Sequence, residues 1–70
     1  MTAAEFERLT ASEAEGLLRQ RLRVFIAAGA ESCEALLLAA QVEIDETSAV
    51  QLVRVGFSAD LTLRLLHTAA

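Results

Sequence analysis

The chain has 70 residues, with ten acidic side chains against six basic ones, a net charge of −4, one cysteine, one histidine and no proline or tryptophan. That length permits one small domain, and a lone Cys33 with a lone His67 excludes an internal disulfide and a four-ligand zinc site. The acidic balance disfavours nucleic acid and anionic membranes, and the shortage of nucleophiles and general bases disfavours catalysis.

The opening MTAAEFERLT lacks a basic stretch followed by an apolar core, so it reads as folded chain and not as a signal peptide. The longest apolar runs, 24–30 and 35–40, fall far short of the ~20 residues a membrane span needs. A cytoplasmic protein with a reduced thiol is expected. The Ala-rich, Arg-only composition fits a GC-rich coding background, common among bacteria and their phages, and carries no functional signal.

Abundant Ala, Leu, Glu and Arg favour helix nearly throughout. Thr2-Ala-Ala-Glu5, Thr10-Ala-Ser-Glu13 and Ser12-Glu-Ala-Glu15 all fit the capping box, in which a hydroxyl satisfies an orphan N–H and the carboxylate reaches back. They predict a short helix over about 2–9 and a longer one over about 12–28. Gly29 suits a left-handed stop, and Ser32 is placed to cap a helix over about 33–41. Asp45 or Thr47 caps a fourth helix that runs to about Val55, where Gly56 ends it. Ser58 caps the last, over about 59–68. The two glycines lie 27 positions apart in similar settings. Any two helix–Gly–helix units in an apolar chain would match as well, so the offset is read as two αα-hairpins and not as a duplicated unit.

Helical projection puts Leu18, Leu22, Phe25 and Ile26 on one stripe of the second helix. In the fourth, Ala49, Val50, Val53 and Phe57 share a face, while Leu52 and Val55 point nearly opposite. In the last, Leu61, Leu63, Leu65 and Leu66 sweep half the circumference, leaving Asp60, Arg64 and His67 to solvent. The third, with Leu36-Leu37-Leu38-Ala39-Ala40, is apolar almost all round. A helix that is apolar on two faces needs cover on both, and 70 residues offer too few other elements. Hydrophobic residues make up 54% of the chain, above the usual ~45–50%, so an intermolecular interface is expected.

Residues that might carry chemistry have simpler readings. Cys33, flanked by Glu31 and Glu34, reads as a small buried residue, and His67 as an exposed helix end. The acidic run Glu43, Asp45, Glu46 lacks the turn glycine and ligand ladder of a calcium loop. Arg19, Arg21 and Arg23 are spread around their helix and read as a solvated, salt-bridged face, with Glu15 four residues before Arg19.

Two segments resemble known families. Leu38-Ala39-Ala40-Gln41-Val42-Glu43-Ile44, continuing to Leu52, resembles a helix-turn-helix, with Ala39, Ile44, Ala49 and Leu52 where such motifs hold small or apolar residues. The resemblance implies DNA binding as a dimer. However, Glu43 replaces the usual turn glycine, and the would-be reading helix opens on Asp45-Glu46 with only Arg54 at its far end. Residues 51–66 are similar to the first two helices of ubiquitin-associated domains, with Val55-Gly56-Phe57 standing where that family has a Met-Gly-Phe loop. That likeness implies a ubiquitin-binding loop and leaves no room for the family's third helix before Ala70.

The sequence thus predicts an all-α single domain over 1–70, a small bundle of four to five short helices with residues 1–10 as a short helix or arm and 12–70 as the helical core. It is expected to be oligomeric and to work by binding another protein, further copies of itself, or both, as an adaptor, inhibitor or chaperone-like module. The alternative is the dimeric helix-turn-helix regulator. No enzyme activity, cofactor, metal, small-molecule substrate or membrane is expected, and nucleic acid is disfavoured. The expected binding residues are Leu52, Phe57, Leu63 and Leu66, in the C-terminal half, where apolar side chains point both into and away from one core and Phe57 is that half's only aromatic.

Overall fold

The computed structural model describes residues 1–69, with side chains to His67. Five helices follow in order: α1 (Ala3–Glu7), α2 (Ala11–Ala28), α3 (Ser32–Ala40), α4 (Glu46–Arg54) and α5 (Ala59–Ala69). The described residues contain no strand. The radius of gyration, 11.6 Å, is close to the roughly 11 Å of a packed chain this long, so the helices form one body.

Local chemistry sets most boundaries. Thr2 and Thr10 each accept a hydrogen bond from the backbone N–H three residues on, and Glu5 and Glu13 reach back to the caps, completing both boxes. The third candidate box, at Ser12, lies inside α2, because Thr10 has already satisfied the first turn. Asp45, not Thr47, caps α4, accepting from the Ser48 N–H at 2.9 Å and the Ser48 hydroxyl at 2.8 Å. The Ser58 hydroxyl accepts from the Leu61 N–H at 3.2 Å and starts α5. Ser32 was the expected cap of α3, but it is the helix's first residue and Glu31 holds the cap position without a side-chain bond.

The chain reverses at two like turns. The Gly29 N–H donates to the Ile26 carbonyl at 3.0 Å and the Ala30 N–H to the Phe25 carbonyl at 3.1 Å. Gly56 N–H donates to Val53 and Phe57 N–H to Leu52, both at 3.0 Å. These paired bonds cap the last carbonyls of a helix and require a left-handed residue, and φ is 114° at Gly29 and 99° at Gly56. Each turn closes an αα-hairpin, α2–α3 and α4–α5. The hairpins then stack, with α2 packing on α4 and α3 on α5. Helix α1 contributes no buried residue and stays at the periphery.

The core lies between the hairpins: Phe25, Ala35, Leu38, Ala39, Ile44, Ala49, Val53 and Ala59. Its composition corrects the helical projection at three places. On α2 the inward stripe runs through Arg21 and Phe25, leaving Ile26 46% exposed. On α5 it runs through Ala59, Thr62, Leu63 and Leu66, leaving Leu61 and Leu65 half out of the core. Cys33 is exposed, not a small core residue, because it stands on the outer side of the first turn of α3.

Candidate interaction surface

Burial of Arg21 organises the α2–α3 hairpin. Its side chain donates from Nε to the Ala39 carbonyl at 3.1 Å and from Nη2 to the Gln41 carbonyl at 3.0 Å. The guanidinium also lies 5.8 Å from the Phe25 ring centroid, within cation–π range. It therefore closes the C-terminal end of α3, where unsatisfied carbonyls carry partial negative charge. Burial lowers the Arg21 pKa from its ordinary value, while Glu46 and Asp45 act in the opposite sense and favour the charge. The expectation of three solvated arginines thus fails at its middle member. Arg19 does pair with Glu15, at 2.6 Å on the exposed face, and Arg23 is exposed.

The acidic segment is used for capping. Asp45 has its pKa lowered chiefly by the Ser48 N–H bond and then by the Ser48 hydroxyl. Glu13 is lowered in the same way by Thr10. Among the described residues, no group of three or more His, Cys, Asp or Glu side chains is placed to hold a metal ion. Among the described residues, no helix is long and apolar enough to cross a membrane.

All four sequence-predicted binding residues are half-buried. Leu63 and Leu66 pack against the core. Phe57 sits at the second turn and helps line a cavity of about 310 Å³, together with Gly29, Glu34 and Val53, so the two turns lie side by side. The structure does not gather these four into one exposed patch.

Exposed apolar surface lies elsewhere, on Ile26, Leu36, Leu37, Val55, Leu61 and Leu65. Leu36 is 57% exposed and borders a groove of about 470 Å³ that runs along α2 past Ala14, Leu18 and Leu22. The ion pair of Glu15 and Arg19 forms its polar rim. The groove exists because α2 is twice as long as α3, so its first half projects beyond its partner. Val55, Leu61 and Leu65 lie on the other hairpin. Adjacent leucines such as Leu65-Leu66 point about 100° apart on a helix, and here Leu66 packs on the core while Leu65 is 43% exposed. The offset was available in the sequence; which member turned inward was not.

No known protein family, curated protein or solved structure matches this chain.

Proposed function

We propose that this chain is a small acidic protein-interaction module that works by packing exposed apolar helix faces against protein, either a partner or further copies of itself. The observation that carries this reading is the presence of apolar side chains on both hairpins that the fold leaves uncovered, Ile26, Leu36 and Leu37 on one and Val55, Leu61 and Leu65 on the other. Soluble proteins rarely leave contiguous apolar surface open without a use for it. Several exposed polar groups are occupied locally, in capping boxes and the pairs Glu15–Arg19 and Asp60–Arg64. An adaptor, inhibitor or chaperone-like role fits this surface, with no catalysis and no cofactor.

The helix-turn-helix reading receives less support. Its two helices would be α3 and α4, which lie diagonally across the bundle with little mutual contact, and α4 opens on Asp45 and Glu46. Phosphates would meet carboxylates where they should dock.

The test is site-specific photo-cross-linking in the native host, with the reactive group placed in turn at Leu37, at Leu61 and at the exposed control Glu7. Protein adducts from Leu37 or Leu61, absent from Glu7, are expected. Adducts at none of the three, or equally at all three, would overturn the reading.

A further inference from the structure

Residues 27 positions apart occupy equivalent places at the two turns, Gly29 with Gly56, Phe25 with Leu52 and Ile26 with Val53, and they make the same pair of backbone bonds. Carrying that register along both hairpins exposes an exchange of burial at six pairs, while Ala35 and its counterpart Thr62 are both fully buried. Ile26 is 46% exposed where its counterpart Val53 is 8%, Leu22 is half-buried where Ala49 is buried, and Leu36 is exposed where Leu63 packs on the core. The opposite exchange holds at three further pairs. Leu38 is fully buried where Leu65 is 43% exposed, Phe25 is buried where Leu52 is half-buried, and Ala28 is half-buried where Val55 is exposed.

Each set keeps a helical phase. Leu22 and Ile26 lie four apart on α2, and Phe25 and Ala28 continue round the helix on the side of Leu22 away from Ile26, about 60° and 120° from it. Such an alternation is what stacked repeats produce: each unit has a lower face that seats on its neighbour and an upper face that receives one. Within the chain, the Phe25–Leu38 face of the first hairpin seats on the Val53–Leu63 face of the second. The first hairpin's receiving face leaves Ile26 and Leu36 open, with Leu22 half-buried at its edge against the core, and the second hairpin's seating face leaves Val55 and Leu65 open beside the half-buried Leu52.

Resting on the proposed interaction role, we infer that this chain associates with further copies of itself head to tail, the Leu52–Val55–Leu65 face of one copy seating on the Leu22–Ile26–Leu36 face of the next. The contact continues the α2–α3 on α4–α5 interface already formed inside the molecule, with the same helix pairs brought together by the same phases. The two faces differ, so the interface is heterologous, and repeated addition gives a ring or an open filament, not a closed symmetric pair.

The test uses Leu36→Glu to block the receiving face and Leu65→Glu to block the seating face. Both side chains are largely exposed, so helicity by circular dichroism should be retained. In sedimentation equilibrium the unmodified chain is expected to exceed its 7.5 kDa monomer mass, each variant alone to remain monomeric, and an equimolar mixture to recover association that stops at two chains. If a variant loses helicity, Ile26→Glu and Val55→Glu replace the pair and are read in the same way. Either a variant that still associates alone or a mixture that stays monomeric overturns the head-to-tail arrangement. An unmodified chain that stays at 7.5 kDa overturns self-stacking altogether, while the cross-linking result decides the interaction role separately.

Discussion

Replacing Arg21 with Met keeps much of the side chain's aliphatic length and removes its donors, and the bundle should lose roughly 2–4 kcal/mol. The Ala39 carbonyl, beyond the end of the helical ladder and on a residue only 3% exposed, has the Arg21 Nε–H as its donor. Leaving such an acceptor unpaired costs about 1–3 kcal/mol. The carbonyls of Leu38 and Gln41 already accept from the backbone N–H groups of Gln41 and Ile44, so losing the Arg21 contact there costs less. Loss of the Phe25 ring contact adds about 0.5–1 kcal/mol. Lowering the cost, Met removes the penalty of holding a cation that is 6% exposed. A domain of this length has about 3.5–10 kcal/mol in all, at the usual per-residue stability, so the change takes a large share of it. Thermal unfolding followed by circular dichroism should shift down on the order of 10–20 °C. Arg21→Lys should recover only part of the loss, since an ammonium cannot bridge the Ala39 and Gln41 carbonyls as a planar fork does. An Arg21→Met protein within about 0.5 kcal/mol of the parent would refute the idea that this guanidinium closes α3, since surface changes alone stay inside that range.

Glycine substitutions should divide by backbone conformation. Gly29→Ala and Gly56→Ala should each cost about 1 kcal/mol or more in urea unfolding, because a Cβ at either place meets open space but not an accessible φ. Gly16→Ala, in the exposed middle of α2, should instead stabilise by roughly 0.5–1 kcal/mol, and equal effects at all three sites would contradict the two turns. Thr62→Val should raise stability by up to about 1 kcal/mol, because the Thr62 hydroxyl is fully buried without a hydrogen-bond partner. A lower unfolding midpoint for that variant would mean the hydroxyl is bonded. Asp45 has a depressed pKa in the folded state, so its contribution is present above the unfolded carboxylate value and is lost as pH falls through the folded one. Asp45→Asn, which keeps the cap, should therefore show a flatter loss of stability on acidification than the parent, and parallel curves would exclude Asp45 as a source of the slope.

Helix positions were legible in the sequence because their determinants are local. Hydroxyl and carboxylate caps at Thr2, Thr10, Asp45 and Ser58, and the stops at Gly29 and Gly56, act within four residues and need no tertiary partner. The exposure of Val55 and the burial of Ala49 and Val53 follow from spacing alone. What spacing could not decide was the rotation of α2 and α5 about their own axes. Periodicity rewards large apolar side chains, whereas the approach of α5 to α3 rewards small ones, so Ala59 and Thr62 turned inward and Leu61 and Leu65 turned out. On α2 an arginine took a core position that no hydrophobic scale would assign it, because the open end of α3 supplied carbonyls to satisfy its charge. Those two rotations decide which leucines face solvent. Because they depend on side chains meeting across the bundle, the exposed apolar surface was settled by packing between the hairpins and not by the order of residues along the chain.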